Sequence, residues 1–411
     1  MSPLPHDSPR RSPKPSPSSL RGLDWFTFFL ANAQTGFGPF VAVYLTAQAW
    51  TQVDIGLVLT VGGLSALAGQ IPGGALVDAV RSERRLAAAA VIGIALSAVM
   101  FAVWPSFLAI LAAEVVHSAA SCVIGPALAA VSLGLVGHAA IGERLGRNAR
   151  FASIGNGFAA AAMGATGYLL SNQAVFYLTA LLLVPALIAL RRIRDDEIDP
   201  ARAHGGTPKP EATSHVTVWQ VVGNRPLLTL CGCALLFHLG NAAMLPLVGA
   251  QVTTRSSQWA TILIAACIVA PQLIVAVISP WVGRRAQIAG RWGLLLIGFA
   301  ALPIRGVLLA MVTSPYLLVA VQILDGISAA VLGVLVPLIV ADVTRGTGRF
   351  NLAQGIVGCA VGIGASLSTT LAGYATDHFG STAAFLTLAG LGAAGLALVA
   401  TLMPETRPPD E

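Results

Sequence analysis

Two ionisable side chains, Glu114 and His117, stand three residues apart within a long apolar run. Residues three apart share one face of a helix, with Cβ atoms about 5–6 Å apart, so the two side chains can meet. Carboxyl and imidazole groups in a low-dielectric site can exchange protons near physiological pH. The spacing predicts a proton-carrying pair or, alternatively, a Glu–His hydrogen bond that only fixes this helix against its neighbours.

Arg305 and Asp325 form a second charged pair within apolar sequence. If the helix that holds Arg305 is followed by one that runs back, the two residues lie at similar depth and within reach of an arginine side chain. A lone buried charge is expensive, whereas a paired one costs less. Two interpretations stay open. The pair braces two adjacent helices, or it opens during function when Asp325 is protonated or an anionic solute binds Arg305.

The composition indicates that the solvent of this chain is lipid. Of its 411 residues, 55% are hydrophobic and 10% are charged, whereas a soluble domain usually carries about 25% charged residues. A spanning helix needs roughly 20 apolar residues. The chain therefore has room for about a dozen spans with short connections, and none for a large soluble domain.

The charged residues and cysteines exclude several kinds of site. The net charge of +6 does not indicate a nucleic-acid partner, because the 24 Lys and Arg fall in short clusters between apolar runs. The five cysteines lie inside apolar runs and predict neither a disulfide framework nor a metal site. We therefore expect no metal, no cofactor and no catalytic residue.

The apolar runs fall into two sets of six, separated by a polar stretch at 191–224. The runs cover residues 23–45, 54–77, 86–105, 107–136, 151–171, 174–190, 227–249, 258–281, 291–313, 315–341, 350–374 and 381–403. The predicted organisation is a disordered tail at 1–21, a six-helix bundle at 22–190, a linker at 191–224, a second six-helix bundle at 225–403 and a tail at 404–411.

The two halves repeat, and their basic residues predict an orientation. The stretch 114–125 resembles the stretch 322–333 at an offset of 208 residues, and Pro72 pairs with Pro280 at the same offset. Short cytoplasmic loops carry the excess of Lys and Arg. Placing both termini in the cytoplasm puts nearly all basic residues on that side, so we expect a multi-pass protein of the cytoplasmic (inner) membrane.

A glycine, an aspartate and a basic cluster join the second and third apolar runs, as Gly74, Asp78, Arg84 and Arg85. This pattern resembles the cytoplasmic motif of the major facilitator superfamily. In such a motif Gly74 would allow close approach of two helices, and Asp78 would pair with a basic group or cap a neighbouring helix end. Arg84 and Arg85 would reach headgroups or acidic partners.

The resemblance extends over nearly the whole chain, from about Gly22 to Met403. It implies an all-α membrane protein with twelve transmembrane helices in two six-helix bundles. It also implies that spans 1, 4, 7 and 10 line a central cavity. The candidates for contact with a substrate are then Asn32, Gln34, His238, Asn241 and Gln322, together with Arg305 in span 9. His238 would alternatively serve helix packing.

The expected function is secondary active transport of a small organic solute by alternating access, coupled to protons through Glu114, His117 or Asp325. The largely apolar lining favours efflux of amphipathic cargo. An importer of a nutrient or siderophore-like solute stays open, because the fifth span lacks the Gly-Pro pair typical of antiporters.

An alternative of another class is a membrane-embedded enzyme that modifies lipid. Such an enzyme needs a nucleophile–base set or metal ligands at one membrane face, and only Glu114 with His117 comes near that arrangement. We therefore expect no enzymatic activity. The expected partners are a small-molecule substrate, protons and the lipid bilayer, with the protein acting as a monomer.

Overall fold

The computed structural model describes residues 15–37, 39–206, 217–255 and 260–408. All regular elements within these ranges are helices. The interior of a bilayer offers no hydrogen-bond partner to a backbone group, and a helix satisfies its backbone groups internally.

Seven helices build the first bundle and seven build the second. The first bundle consists of α1 (Pro17–Gly36), α2 (Pro39–Ala47), α3 (Gln52–Ala79), α4 (Glu83–Val103), α5 (Phe107–Val136), α6 (Ile141–Leu169) and α7 (Asn172–Arg191). Two short helices follow, α8 (Pro200–Ala203) and α9 (Val218–Val222). The second bundle consists of α10 (Arg225–Asn241), α11 (Met244–Arg255), α12 (Ala260–Ala289), α13 (Trp292–Met311), α14 (Pro315–Val321), α15 (Ile323–Val343) and α16 (Phe350–Leu402).

The described helices are consistent with the predicted twelve membrane passages. Nine stretches of the described chain are long and apolar enough to span a bilayer. A tenth passage is α6, whose first turns carry Glu143, Arg144 and Arg147, and an eleventh is formed by α1 and α2 together. The twelfth is the second part of α16. This 53-residue helix is interrupted at Gly380, where φ is 82°, a left-handed conformation that favours glycine.

The structure begins the first helix earlier than the sequence pattern does. α1 starts at Pro17, inside the predicted tail 1–21, and Ser16 donates hydrogen bonds from its backbone N and its hydroxyl to Glu197, at 2.9 and 3.0 Å. Residues 1–14 of that tail lie outside the described residues, as do 207–216 of the predicted linker.

Each bundle has its own apolar core. The core of the first bundle includes stacked and edge-on contacts among Phe37, Phe101 and Phe176. The core of the second bundle is centred on α10, α13, α15 and α16, and it also includes Leu133 and Leu145 of the first bundle. The two cores therefore meet across the interface between the bundles.

The bundles touch in the half of the molecule that holds the short helix α8, which we call the linker side; the opposite half is the far side. There α3 packs on α16 and α6 packs on α12. A Cβ on Gly74 would collide with the carbonyl oxygen of Asn351, and one on Gly283 with that of Gly142. Toward the far side, a Cβ on Gly63 would meet open space. The bundles are therefore in close backbone contact on the linker side.

Substituting Gly74 with valine should open the linker side. The added methyl groups would collide with the backbone of Asn351, which cannot turn away as a flexible side chain can. The backbone amides at the start of α16 would lose their protection and exchange at least roughly tenfold faster. Hydrogen–deuterium exchange of residues 350–355, measured by mass spectrometry on the protein in nanodiscs, checks this prediction.

Gly63→Val is the matched control, because it lies in the same helix and its Cβ would have free space. The control should keep wild-type exchange at the start of α16. If Gly74→Val also exchanges as the wild type does, the glycine contact is not what closes this side.

Candidate functional site

A cavity of about 550 Å³ lies between the bundles. It is lined by α1, α3, α5 and α6 of the first bundle and by α12, α15 and α16 of the second. No charged side chain is among its described lining residues. The polar members are Thr27, Gln70, Asn148, Ser153, Asn156, Gln272 and Gln354. The cavity can therefore hold a small molecule through neutral hydrogen bonds and apolar contacts.

A second chamber of about 380 Å³ adjoins this cavity and shares with it three residues of α15, Ala329, Gly333 and Pro337. His238 and Asn241 of α10 line the chamber, as does Asp325 of α15. These are polar residues that the sequence pattern singles out. The chamber brings an ionisable group next to the neutral cavity.

Arg305 is the centre of a polar cluster at the wall of the second chamber. Its Nε donates to Oε1 of Gln322 at 2.9 Å, and its Nη1 donates to Oδ1 of Asn241 and to Oδ1 of Asp325, each at 2.6 Å. The cluster joins α10 and α13 to the junction of α14 and α15. The predicted proximity of Arg305 and Asp325 holds in the structure, with two neutral acceptors added.

The two charged members of this cluster differ in their access to the chamber. The side chain of Arg305 is 2% exposed, whereas that of Asp325 is 27% exposed. A proton can reach the carboxylate from the chamber, while the guanidinium stays behind it. Gln322 is buried and is held by Arg305. If Asp325 were neutralised, Asn241 and Gln322 would still accept hydrogen bonds from Arg305.

A second ionic cluster lies beneath the main cavity and was not predicted. Asp24 of α1 is buried between two arginines of α6, with Arg144 at 2.5 Å and Arg147 at 2.6 Å. Arg144 also donates to Oδ1 of Asn148, which lines the cavity. This cluster therefore fixes α1 to α6 and orients one cavity amide.

Glu114 and His117 share a helix face as predicted, but they turn to different neighbours. Glu114 is 8% exposed and packs against Gly62 of α3. The ring of His117 stacks on Phe37 with 3.8 Å between centroids, and its Nε2 lies 3.3 Å from Oγ of Ser121. Among the described contacts, no hydrogen bond or ion pair within 4 Å joins Glu114 to His117. Neither residue lines the two chambers.

One predicted cavity residue of the first span, Asn32, lines neither chamber. It is fully buried and donates from Nδ2 to the carbonyl oxygen of Phe28 in its own helix, at 2.8 Å. The side chain of Gln34, another predicted cavity residue, lies outside the described residues. The structure therefore assembles the predicted polar residues of α10, α13 and α15, and leaves Asn32, Glu114 and His117 apart from them.

The amides and hydroxyls of α3, α6, α12 and α16 are the residues that sequence reasoning missed, because it restricted the cavity to spans 1, 4, 7 and 10. Ser153 of α6 donates to Oε1 of Gln272 of α12 at 2.8 Å, across the bundle interface. One signal was available. Asn148, Ala152 and Asn156 recur every four residues, which places two amides on one face of this helix.

Asp78 ties the two bundles together on the linker side. Its carboxylate accepts hydrogen bonds from the backbone N atoms of Asn351 and Leu352, at 3.2 and 2.7 Å, and from Nδ2 of Asn351 at 2.8 Å. These donors lie at the start of α16, where free N–H groups and the helix dipole favour an anion. Asp78 therefore caps a neighbouring helix end, which was one of its two predicted roles.

The residues around Asp78 extend this junction. Arg84 of α4 donates to Oδ2 of Asp195 at 2.5 Å and to the carbonyl oxygen of Ile193 at 2.9 Å. The side chain of Arg85 is exposed. Together with the close approach at Gly74, the motif residues bring α3, α4 and the start of the linker to the foot of α16.

Residues 195–206, which we call the linker segment, bond to both bundles. On the first bundle, Nε2 of His204 lies 2.9 Å from Oε1 of Glu83. On the second, the backbone N of Phe350 donates to the carbonyl oxygen of His204 at 3.2 Å, and that of Gly346 donates to Gly205 at 2.6 Å. Burial by itself lowers the pKa of His204, but the hydrogen bond and charge of Glu83, with the charge of Asp78, raise it above its ordinary value.

The family model of the Major Facilitator Superfamily matches residues 25–308 and 290–411 of this chain. The chain belongs to the major facilitator superfamily. The resemblance carried by Gly74, Asp78, Arg84 and Arg85 is thereby confirmed, and with it the all-α membrane fold of two bundles. A member of this family is a multi-pass membrane transporter.

Relatives of this facilitator occur in Mycobacterium tuberculosis. Two proteins described as uncharacterized MFS-type transporters, from two strains, are each 40% identical to it over 396 residues. The match covers 95% of this chain and 94% of each relative.

Solved structures of facilitators share its fold. The crystal structure of the human organic anion transporter MFSD10 (TETRAN) has a TM-score of 0.73 at 15% identity, covering 93% of this chain and all of that one. The structure of the facilitator FucP in the outward conformation has a TM-score of 0.75 at 14% identity, covering 93% of this chain and 98% of that one. These likenesses establish the fold of the facilitator.

Neutralising Asp325 alone should destabilise the facilitator more than neutralising both members of its ion pair. Asp325→Asn leaves Arg305 buried without a counter-charge, a change worth about 3 kcal/mol in a buried pair. In Arg305→Gln/Asp325→Asn both charges are removed, so the buried cation is gone. Thermal unfolding in detergent should give the lowest midpoint for Asp325→Asn. A double variant that unfolds earlier than the single one would contradict this account.

The contact between His204 and Glu83 should make stability depend on pH. Because the folded state raises the pKa of His204, protonation stabilises the folded protein below the unfolded pKa of about 6.5. That contribution is lost as the pH rises through the folded pKa. His204→Gln should therefore lower the thermal midpoint by a few degrees at about pH 6 and by less at about pH 9.

The matched control is His378→Gln, which makes the same substitution at an exposed histidine of the far side. It should leave the difference between the two pH values as in the wild type. A deficit of His204→Gln that is equal at both pH values would show that the contact acts without the imidazolium charge.

Proposed function

We propose that this facilitator exports a small amphipathic organic solute in exchange for protons, by alternating access across the cytoplasmic membrane. The single observation that carries the proposal is the arrangement at Asp325. Its carboxylate borders the chamber next to the neutral cavity, while its partner Arg305 is buried and is also held by two uncharged side chains.

The main cavity supports the solute class. Its volume of about 550 Å³ lies within the range of roughly 300–1,000 Å³ that is usual for small-molecule sites. Amides and hydroxyls on its wall can donate and accept hydrogen bonds, and the remaining lining is apolar. A solute with an apolar body and a few neutral polar groups would pack against the apolar lining and hydrogen-bond to these wall groups.

The distribution of basic residues supports the orientation. Arg81, Arg84 and Arg85 of the first bundle and Arg284 and Arg285 of the second all lie on the linker side. Because an excess of short-loop Lys and Arg marks the cytoplasmic face, we place the linker side in the cytoplasm and the termini with it. If the linker side is cytoplasmic, its closure fits an outward-facing arrangement, which we infer for this state.

Proton binding at Asp325 would couple the two fluxes. In the outward-facing state the chamber gives the carboxylate access to external protons. A protonated Asp325 no longer holds Arg305 by charge, and Asn241 and Gln322 keep the guanidinium hydrogen-bonded. The loss of the ion pair changes the packing between α13 and α15 beside the cavity, which provides a physical link between proton binding and solute release.

Proton-driven export follows if binding of a proton to the protein excludes binding of the solute. Proton-driven import requires that the proton and the solute bind to the protein together. The largely apolar lining favours an amphipathic solute, which reaches the cavity from the cytoplasm or the inner leaflet. We therefore propose exchange. The alternative of a proton-coupled importer predicts proton uptake, and not proton release, when solute binds.

The test measures protons released from purified protein in weakly buffered detergent when a solute is added, with a pH-sensitive dye. The probes are chloramphenicol as a neutral amphipathic compound, tetraphenylphosphonium as a lipophilic cation and benzoate as an organic anion. We expect the neutral probe to release up to about one proton per protein from the wild type. Asp325→Asn should bind it with no proton release.

Two variants make this test specific. Asp377→Asn is the matched control, since it removes one exposed carboxylate of α16 away from both chambers, and it should release protons as the wild type does. Glu114→Gln tests the other predicted carrier. Proton release that persists in Asp325→Asn and disappears in Glu114→Gln would move the coupling site to Glu114, and proton uptake in the wild type would replace export with import.

A further inference from the structure

A groove of about 230 Å³ runs between α4 and α7 on the outer flank of the first bundle. Three arginines, Arg84, Arg85 and Arg191, line its linker-side end. Apolar side chains of both helices form its floor, among them Ile92 and Leu187. The groove thus has a basic end and an apolar end, and it is separate from the two chambers between the bundles.

The apolar end of this groove faces the bilayer. Ile92 is 47% exposed, and its neighbours along the same helix faces, Leu96 and Ile188, are 58% and 53% exposed. In a membrane protein such exposed apolar side chains meet lipid chains. The arginines lie at the first turn of α4 and the last residue of α7, where the spans end and headgroups begin.

Two of the three arginines have no partner of opposite charge. Arg84 is paired with Asp195 at 2.5 Å. Arg85 and Arg191 are exposed, and their side chains make no hydrogen bond or ion pair within the described part of the chain. Glu83, two residues before Arg85, is 2% exposed, and its carboxylate contacts His204. The groove therefore holds two uncompensated positive charges at its rim.

We propose that this groove binds an anionic phospholipid, with its phosphate on Arg85 and Arg191 and an acyl chain along Ile92 and Leu187. A guanidinium group donates two parallel hydrogen bonds to phosphate oxygens, so two arginines can hold one phosphate firmly. Basic pockets between helix ends are known sites for acidic lipid headgroups. A free phosphate ion would leave the apolar floor unused, so we assign the site to a lipid.

The position of the groove gives the lipid a structural role. The phosphate would lie beside Arg84, whose partner Asp195 begins the linker segment that bonds both bundles. A lipid that bridges α4 and α7 would hold the last turn of α7 and the start of that segment in place. We therefore expect bound lipid to stabilise the closed linker side.

The test is native mass spectrometry of the full-length protein in a neutral detergent, titrated with phosphatidylglycerol or with phosphatidylcholine of the same acyl chains. The wild type should bind one phosphatidylglycerol at least tenfold more tightly than phosphatidylcholine. Arg85→Gln/Arg191→Gln should lose on the order of thirtyfold in affinity for phosphatidylglycerol, because each of the two arginines attracts the anionic headgroup.

Arg284→Gln/Arg285→Gln is the matched control, because it removes two exposed arginines from the same side of the second bundle. It should keep wild-type affinity for phosphatidylglycerol. An equal loss in this control would show that binding follows net charge and not the groove. Unchanged affinity in Arg85→Gln/Arg191→Gln would overturn the site directly.

A second variant keeps the test independent of the arginines. Ile92→Trp fills the apolar floor from an exposed position and leaves all three charges in place. It should weaken phosphatidylglycerol binding while the detergent-solubilised protein keeps its thermal midpoint. Inorganic phosphate at millimolar concentration should not displace the lipid; displacement, or full binding by Ile92→Trp, would assign the arginines to a soluble anion.

Discussion

The interior of a bilayer offers no hydrogen-bond partner to a polar group, and the positions of the buried charges in this protein follow from that constraint. Arg305 is 2% exposed and has three acceptors from neighbouring helices. Asp24 is held by two arginines of α6. Asp78 accepts three hydrogen bonds at the start of α16. Each group is satisfied by another helix, so satisfying it also fixes how those helices pack.

The closed linker side combines contacts that differ in kind and break together. Glycine pairs such as Gly142 with Gly283 let backbones approach, Asp78 caps a helix of the opposite bundle, and His204 bonds to both bundles. A rigid-body rotation of one bundle would separate all of them at once, because they lie on one face between the two bundles. Contacts that break together favour discrete arrangements of an interface over intermediate ones, which is what the proposed alternating access would require.

In the candidate site, the side chains that can contact a solute are separate from the charged side chains. The main cavity offers neutral amides and hydroxyls, whereas the ionisable carboxylate lies in the adjoining chamber and is backed by a buried arginine. A solute can therefore be held without an ion pair of its own, and a change at Asp325 reaches the cavity through the residues of α15 that both chambers share. In the exchange that we propose, this separation would let one proton site serve solutes of different shape.

Hydropathy by itself predicted an all-helical membrane protein of two bundles, which the fold and the family confirm, because spanning length is a property of continuous sequence. The count of twelve spans and the cytoplasmic position of the termini, which rest on hydropathy and loop charge, stay predictions. The sequence also predicted that Arg305 lies near Asp325, because consecutive antiparallel helices place the two residues at a similar depth in the membrane. Glu114 and His117 share a helix face, yet Glu114 packs against Gly62 of α3 and His117 stacks on Phe37, which follows α1. No pattern in the sequence predicted the contacts that the linker segment, residues 195–206, makes with the two bundles. Which side chains face the cavity depends on how each helix is rotated within its bundle. That rotation is set by contacts between residues far apart in sequence, so only the tertiary structure decided it.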